Sequence, residues 1–219
     1  MKPNKPPIIL WDVHEVLFTR RLVHWVYKIL VYPHKWRVIQ SLDWHVIKLI
    51  ILYILHITHI KRTELSSQEL VDYARKTNKP ELLAITVQIA CEYTPIESVI
   101  AIVKQLHNLG YTQHIGSNLG STVFAMFQTM YPDIFCYFDV AQLVHYQGKE
   151  LIKKPDSRFF TDYCIRHHID PTQVIFIDDK SYNVESAQSI GMHGITYQNA
   201  EQIIKALENH QILIGIQNN

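Results

Sequence analysis

"QVIFIDDKSYNVESAQSIGMHGITY", Gln173 to Tyr197, decides the architecture of this 219-residue chain. An apolar run from Val174 to Ile177 stops on two aspartates, a helix is expected around Val184 to Ile190, and a second short strand, "GITY", follows. A strand covered on both faces reads as an unbroken apolar run, and two such strands joined through a helix lie parallel. Outward from this unit the rhythm repeats. "IILW", Ile8 to Trp11, is an apolar run that ends on Asp12, and a short strand runs from about Thr112 to Gly116.

The helices between the strands carry their own punctuation. One is expected with Thr94 as N-cap, Pro95 in first position, Glu97 closing a capping box and Gly110 at its end. Another spans about Ser121 to Tyr131, followed by "IFCYFDV" as an apolar strand, and a third runs from Pro155 to about His167. A last helix is capped by Asn199 with Gln202 three residues on. Strands and helices in alternation predict an α/β fold, a Rossmann-like parallel sheet with helices on both faces.

Residues 19–89 break the alternation with apolar residues at helical spacing. They read as a helical insert after the first strand, which divides the chain into a core of 1–18 and 90–219 and an inserted domain of 19–89. Within the insert, "VIKLIILYILHI", Val46 to Ile57, is apolar on nearly every face. A membrane span needs about 20 such residues, and Lys48, His56 and His59 interrupt this run, so no membrane span is expected. A helix apolar all round buries more than one face, which suits a homodimer contact or a membrane surface.

Composition excludes some functions. The formal net charge of +1 gives no field to gather nucleic acid, so no nucleic-acid partner is expected. Three cysteines, Cys91, Cys136 and Cys164, have no close or metal-type spacing, and this points to reduced thiols in the cytoplasm. The apolar run before Asp12 is too short for a secretory signal, whose core is about 7–15 residues. Thirteen histidines, among them His24, His34, His45, His56 and His59, would add positive charge to the first third below about pH 6.5.

Three strands end on polar residues: Asp12, then Ser117 with Asn118, then Asp178 with Asp179. The carboxyl ends of neighbouring parallel strands line one crevice, so these residues are expected to meet. Three carboxylates that close cannot all stay ionised without a cation, and a hard oxygen-rich site suits Mg²⁺. A cation there would hold an anionic substrate, a phosphate above all. Lys154, in "IKKPDSRFF", is placed to pair with Asp12 and a phosphate oxygen.

Together these pieces resemble the motif set of the haloacid dehalogenase-like hydrolase superfamily, from about Ile8 to Tyr197. Asp12 matches the nucleophile, Ser117 the motif II hydroxyl, Lys154 in "KPD" the motif III lysine, and Asp178 with Asp179 the motif IV pair. "FIDDKSYNVESAQSIGMHGI" resembles motif IV and its following helix, Asn183 included, and the insert falls where the family carries a C1-type cap. The resemblance is greatest to phosphatases of small sugar phosphates and to 2-haloacid dehalogenases. It implies an aspartyl-phosphate formed on Asp12 and hydrolysed by water. It also implies Mg²⁺ held by Asp12, the backbone carbonyl of His14 and Asp178 or Asp179, with Asp179 in direct contact. Ser117 and Lys154 would hold the phosphoryl oxygens, Asn118 would bond backbone or substrate, and the cap would close over a small phosphorylated metabolite.

The sequence departs from that pattern at two positions. His14 stands where the family's phosphatases carry a second aspartate, the general acid and base, and Glu15 stands where glycine is usual. An imidazole titrating near 6.5 is roughly a quarter protonated at neutral pH and suits both roles. Without such help the rate falls by about 10²–10⁴, which describes a slow enzyme or a phosphate-binding protein without turnover. A third reading is a 2-haloacid dehalogenase, whose halide leaves without a proton. Those enzymes work without Mg²⁺ and carry tyrosine at this position, and the acidic pair at Asp178 and Asp179 speaks against them.

Overall fold

The computed structural model describes residues 6–20, 67–78 and 93–212. Five strands form one parallel sheet: β1 (Ile8–Trp11), β4 (Gln113–Gly116), β5 (Val140–Gln142), β8 (Val174–Asp178) and β9 (His193–Thr196), in the order β5-β4-β1-β8-β9. β1 lies in the middle, with Leu10 beside His114 on one side and Phe176 on the other. Every residue of β8 is buried, as the unbroken apolar run predicts for a central parallel strand.

Side chains alternate across the sheet, and each set finds a helical layer. Leu10, Val174 and Phe176 join Phe159, Phe160, Tyr163 and Cys164 of α5 (Ser157–His167) and Val184 and Ala187 of α6 (Ser181–Ser189) in one buried cluster. Trp11 takes the opposite side: its Nε1 donates to Gln113 Oε1 at 3.1 Å, and Gln113 Nε2 donates at 2.9 Å to the Val103 carbonyl of α2 (Glu97–Asn108). α2 packs against α7 (Ala200–Asn209), so the sheet has helices on both faces. At Gly194 of β9 an added Cβ would run into Val184 and Gln188, so α6 reaches its depth on the sheet only because this strand residue lacks a side chain.

Several expected elements take another form. Tyr93–Pro95 is strand β3, paired with β2 (Phe18–Arg20), and the Thr94 hydroxyl turns to the Thr19 carbonyl instead of capping α2. α2 starts after Ile96, whose apolar side chain offers no oxygen to cap the first turn, and Ile96 N–H bonds Leu17 O at 2.9 Å. "IFCYFDV" is not one strand. Pro132 opens the short helix α4 (Pro132–Phe135), and the strand begins only at Val140. A hairpin of β6 (His145–Gln147) and β7 (Glu150–Ile152) turns at Gly148, φ +63°, where no strand was expected. Asn199 does cap α7, its Oδ1 accepting from Gln202 N at 2.9 Å.

The chain divides into two compact units, one of 1–19, 94–118 and 130–219 and one of 20–93 and 119–129. The expected boundaries lie at 18/19 and 89/90. In the second unit, α1 (Ser67–Lys76) places Ser67 Oγ to accept from Gly120 N at 2.9 Å, before α3 (Ser121–Met130). The rings of Tyr93 and Phe127 lie 5.7 Å apart. Among the described residues no helix is long and apolar enough to cross a membrane. Val46–Ile57, Cys91 and the histidines at 24, 34, 45, 56 and 59 lie outside the described residues.

Candidate active site

The site forms where β1, β4 and β8 end side by side. Asp12 follows β1 and is tied to β8 by its N–H to Ile177 O at 2.9 Å. Asp178 is the last residue of β8, and Lys154 enters from the loop after β7, where the Lys154–Pro155 peptide is cis. Lys154 Nζ sits 2.8 Å from Asp12 Oδ1, 2.6 Å from Asp178 Oδ2 and 2.9 Å from the Gly116 carbonyl. The lysine side chain is 1% exposed and the two carboxylates 8% and 0%, so this is a buried ion triad. Leaving any member unpaired there would cost several kcal/mol, on the order of 3–5.

Asp178 is further held by Asn183 Nδ2, 3.1 Å from both carboxylate oxygens, and by Lys180 N–H at 2.8 Å. Asp179 pairs with Lys180 Nζ at 2.6 Å. One oxygen each of Asp12, Asp178 and Asp179 lies within 4.8 Å of the others, the one such group among the described residues.

Burial pushes the Asp12 carboxyl above its ordinary range; Lys154 pulls the other way, and the charge on Asp179 pushes it up further. Asp178 and Asp179 are likewise raised, chiefly by burial; Lys154 pulls Asp178 back while the charge on Asp12 pushes it up, and the charge on Asp178 pushes Asp179 up against the pull of Lys180. Three carboxylates share two ammonium groups, so the donor set lacks positive charge. An oxygen-binding divalent cation matches that deficit. Asp178 spends its oxygens on Lys154, Asn183 and Lys180 N–H, which leaves Asp12 and Asp179 as the carboxylates suited to direct contact.

The other expected residues fall into place around this triad. Ser117 is buried at the end of β4, its N–H bonded to Gln142 O at 3.0 Å. Asn118 does not point its amide only toward a ligand. Its Oδ1 accepts from Lys154 N at 2.7 Å and its Nδ2 donates to Lys154 O at 2.9 Å, so it clamps the lysine's main chain to the end of β4.

His14 lies in the turn after Asp12, which Leu17 N–H and Phe18 N–H close by bonding Val13 O at 3.1 and 2.9 Å. Its ring is not part of the carboxylate group. Glu15 has φ +58°, the left-handed conformation that glycine adopts without cost, which accounts physically for glycine as the usual residue there. Here the conformation is held by Glu15 N–H to Phe18 O at 2.7 Å and by Thr19 Oγ1 to Glu15 Oε2 at 2.9 Å. Backbone is one of the two partners expected for Asn118, whereas the pairing of Lys180 with the adjacent Asp179 carries no signal in the sequence.

The haloacid dehalogenase-like hydrolase family matches residues 53–197, about two thirds of the chain. The chain belongs to this hydrolase family. The match begins after Asp12. Over 64 residues this hydrolase is 34% identical to flavin mononucleotide hydrolase 1 of Arabidopsis thaliana, and over 59 residues 39% identical to acyl-CoA dehydrogenase family member 10 of Mus musculus. These stretches span only 26% and 6% of the two relatives.

Among solved structures, a HAD family enzyme from Bacteroides thetaiotaomicron with magnesium and inorganic phosphate matches at 14% identity and a TM-score of 0.56, over 89% of this chain and 95% of that one. L-2-haloacid dehalogenase from Xanthobacter autotrophicus, with chloropropionic acid covalently bound, matches at 13% identity and 0.58, over 96% and 85%. At such identities the likeness is one of fold.

Proposed function

We propose that this hydrolase is a Mg²⁺-dependent phosphomonoesterase in which Asp12 is transiently phosphorylated. The observation that carries the reading is the buried Lys154 ammonium between Asp12 and Asp178, with Asp179 beside them. Lys154 opposes the upward push of burial on Asp12 and so favours the ionised carboxylate that a nucleophile requires. An Asp12 oxygen forms the bond to phosphorus as the bond to the leaving oxygen breaks, and the phosphoryl oxygens are held by Ser117 and by Lys154, which exchanges one of its three acceptors for one of them. His14 donates a proton to the leaving oxygen and then accepts one from the water that hydrolyses the aspartyl-phosphate. Asp12, Asp179 and the His14 carbonyl, with Asp178 behind them, would hold Mg²⁺, which supplies positive charge for the phosphoryl oxygens.

The substrate class is a small phosphorylated metabolite. Sugar phosphates are one candidate, and the Arabidopsis relative adds flavin mononucleotide, itself a phosphomonoester. Substrate choice belongs to the helical cap of 19–89, and Val46–Ile57 to a homodimer contact. Light scattering at several concentrations tests the latter, and a strict monomer overturns it. The free thiols of Cys136 and Cys164 support a reducing, cytoplasmic setting.

A second reading, a phosphate binder with weak or no turnover, draws support from His14 and from Glu15 in its left-handed conformation. Phosphate release from a phosphomonoester panel, with Mg²⁺ or EDTA, across pH 5 to 8, separates the readings. Expected are Mg²⁺-dependent release by the native protein, none by Asp12→Asn, and a pH profile that moves in His14→Asp. A silent native protein awakened by His14→Asp establishes the second reading. Halide release from 2-haloacids in EDTA would replace both with a dehalogenase.

A further inference from the structure

The two lysines at the site differ in what they can do. Lys154 is locked by three oxygen acceptors and is all but fully buried. Lys180 has a fixed main chain and a partly exposed side chain. Its N–H bonds Asp178 Oδ1 at 2.8 Å, and its carbonyl accepts from Asn183 and Val184 at the start of α6. Its ammonium lies 2.6 Å from Asp179 Oδ2, with 16% of the lysine side chain and 14% of the aspartate exposed. Asp179 is also a carboxylate suited to direct cation contact.

An oxygen engaged by an ammonium at that distance cannot also sit at about 2.0–2.1 Å from Mg²⁺ without bringing two cations together. We propose that Lys180 is the resident counter-cation of Asp179, which a divalent ion must displace, so that this side chain weakens metal binding and leaves toward solvent when metal enters. The proposal rests on the metal dependence argued above. An ammonium on a four-carbon stem suits the role, because it neutralises the carboxylate before a cation binds and has the reach to move away afterwards.

The test is Mg²⁺ titration by calorimetry of the native protein and Lys180→Gln, alongside lysine acetylation read by mass spectrometry with and without saturating Mg²⁺. Circular dichroism melts check that Lys180→Gln folds. Expected are an approximately tenfold tighter Kd for Lys180→Gln, and acetylation of Lys180 that rises severalfold with Mg²⁺ while Lys154 stays protected. The labelling arm separates displacement from a general gain in negative charge, which would tighten binding without exposing Lys180. If Mg²⁺ binds the native protein but Kd is unmoved or weaker in Lys180→Gln, or Lys180 labelling does not change, the displacement is overturned alone. If neither protein takes up Mg²⁺, the metal dependence itself falls, and this proposal with it.

Discussion

Two places in this molecule set one basic side chain between two carboxylates, and they behave in opposite ways. On the surface, Arg158 reaches Glu150 of β7 and Asp156 at the start of α5. Both carboxylates fall below their ordinary pKa, chiefly through hydrogen bonds from the guanidinium. In the crevice, Lys154 reaches Asp12 and Asp178, and both rise, because burial outweighs the lysine's attraction. The pairing is alike and the surroundings differ. Water makes the Arg158 group a tie between a hairpin and a helix, whereas its exclusion makes the Lys154 group a store of charge that favours a cation and an anionic substrate.

The largest test of that contrast is Lys154→Met. It leaves two buried carboxylates without their ammonium and is expected to cost about 3–5 kcal/mol near neutral pH by urea unfolding. The raised carboxyls take up protons as pH falls, so the deficit should shrink toward acid; a deficit independent of pH would break the comparison. Asn118→Ala comes next. It frees the Lys154 main chain without touching the ion triad, and turnover is expected to fall about 10- to 100-fold, with a smaller loss in Asn118→Asp, which keeps the acceptor for Lys154 N–H.

A third buried group extends the rule to histidine. His114 of β4 is buried, shares a 2.7 Å hydrogen bond with the Tyr163 hydroxyl, and is lowered to about 4 by burial, with Asp139 opposing the shift and His167 adding to it. The unfolded chain binds this proton near pH 6.5 and the folded one only near 4. The stability contribution of this group is therefore complete above 6.5 and falls as pH drops through that window, by about 3 kcal/mol. His114→Gln should flatten that part of the stability profile. The smallest effect is expected for Arg158→Ala, with a slight fall in Tm and unchanged phosphate release.

Much of the site was legible because parallel strands speak clearly. An apolar run cut off by a polar residue marks a strand's carboxyl end, and Asp12, Ser117 and Asp178 do lie at the carboxyl ends of three neighbouring strands. The 132–140 stretch misled because its aromatic and apolar residues fit a strand, while Pro132 was free to open a helical turn. Thr94 misled in the opposite direction, since tertiary pairing with β2 outweighed a sound local capping pattern. The hairpin at 145–152 is short and largely polar, and Gly148 was its one local signal.

The central position of β1 also bears on how the chain matures. Ile8 cannot meet Val174 until nearly the whole sheet has been synthesised. At ordinary elongation rates the interval is roughly ten to thirty seconds, during which an apolar strand with two unpaired edges waits for its neighbours. Such distant pairing gives a high contact order and slow closure. The nascent chain is therefore expected to be a chaperone client, and Asp12 gains its buried ion partners only when Lys154 and Asp178 arrive.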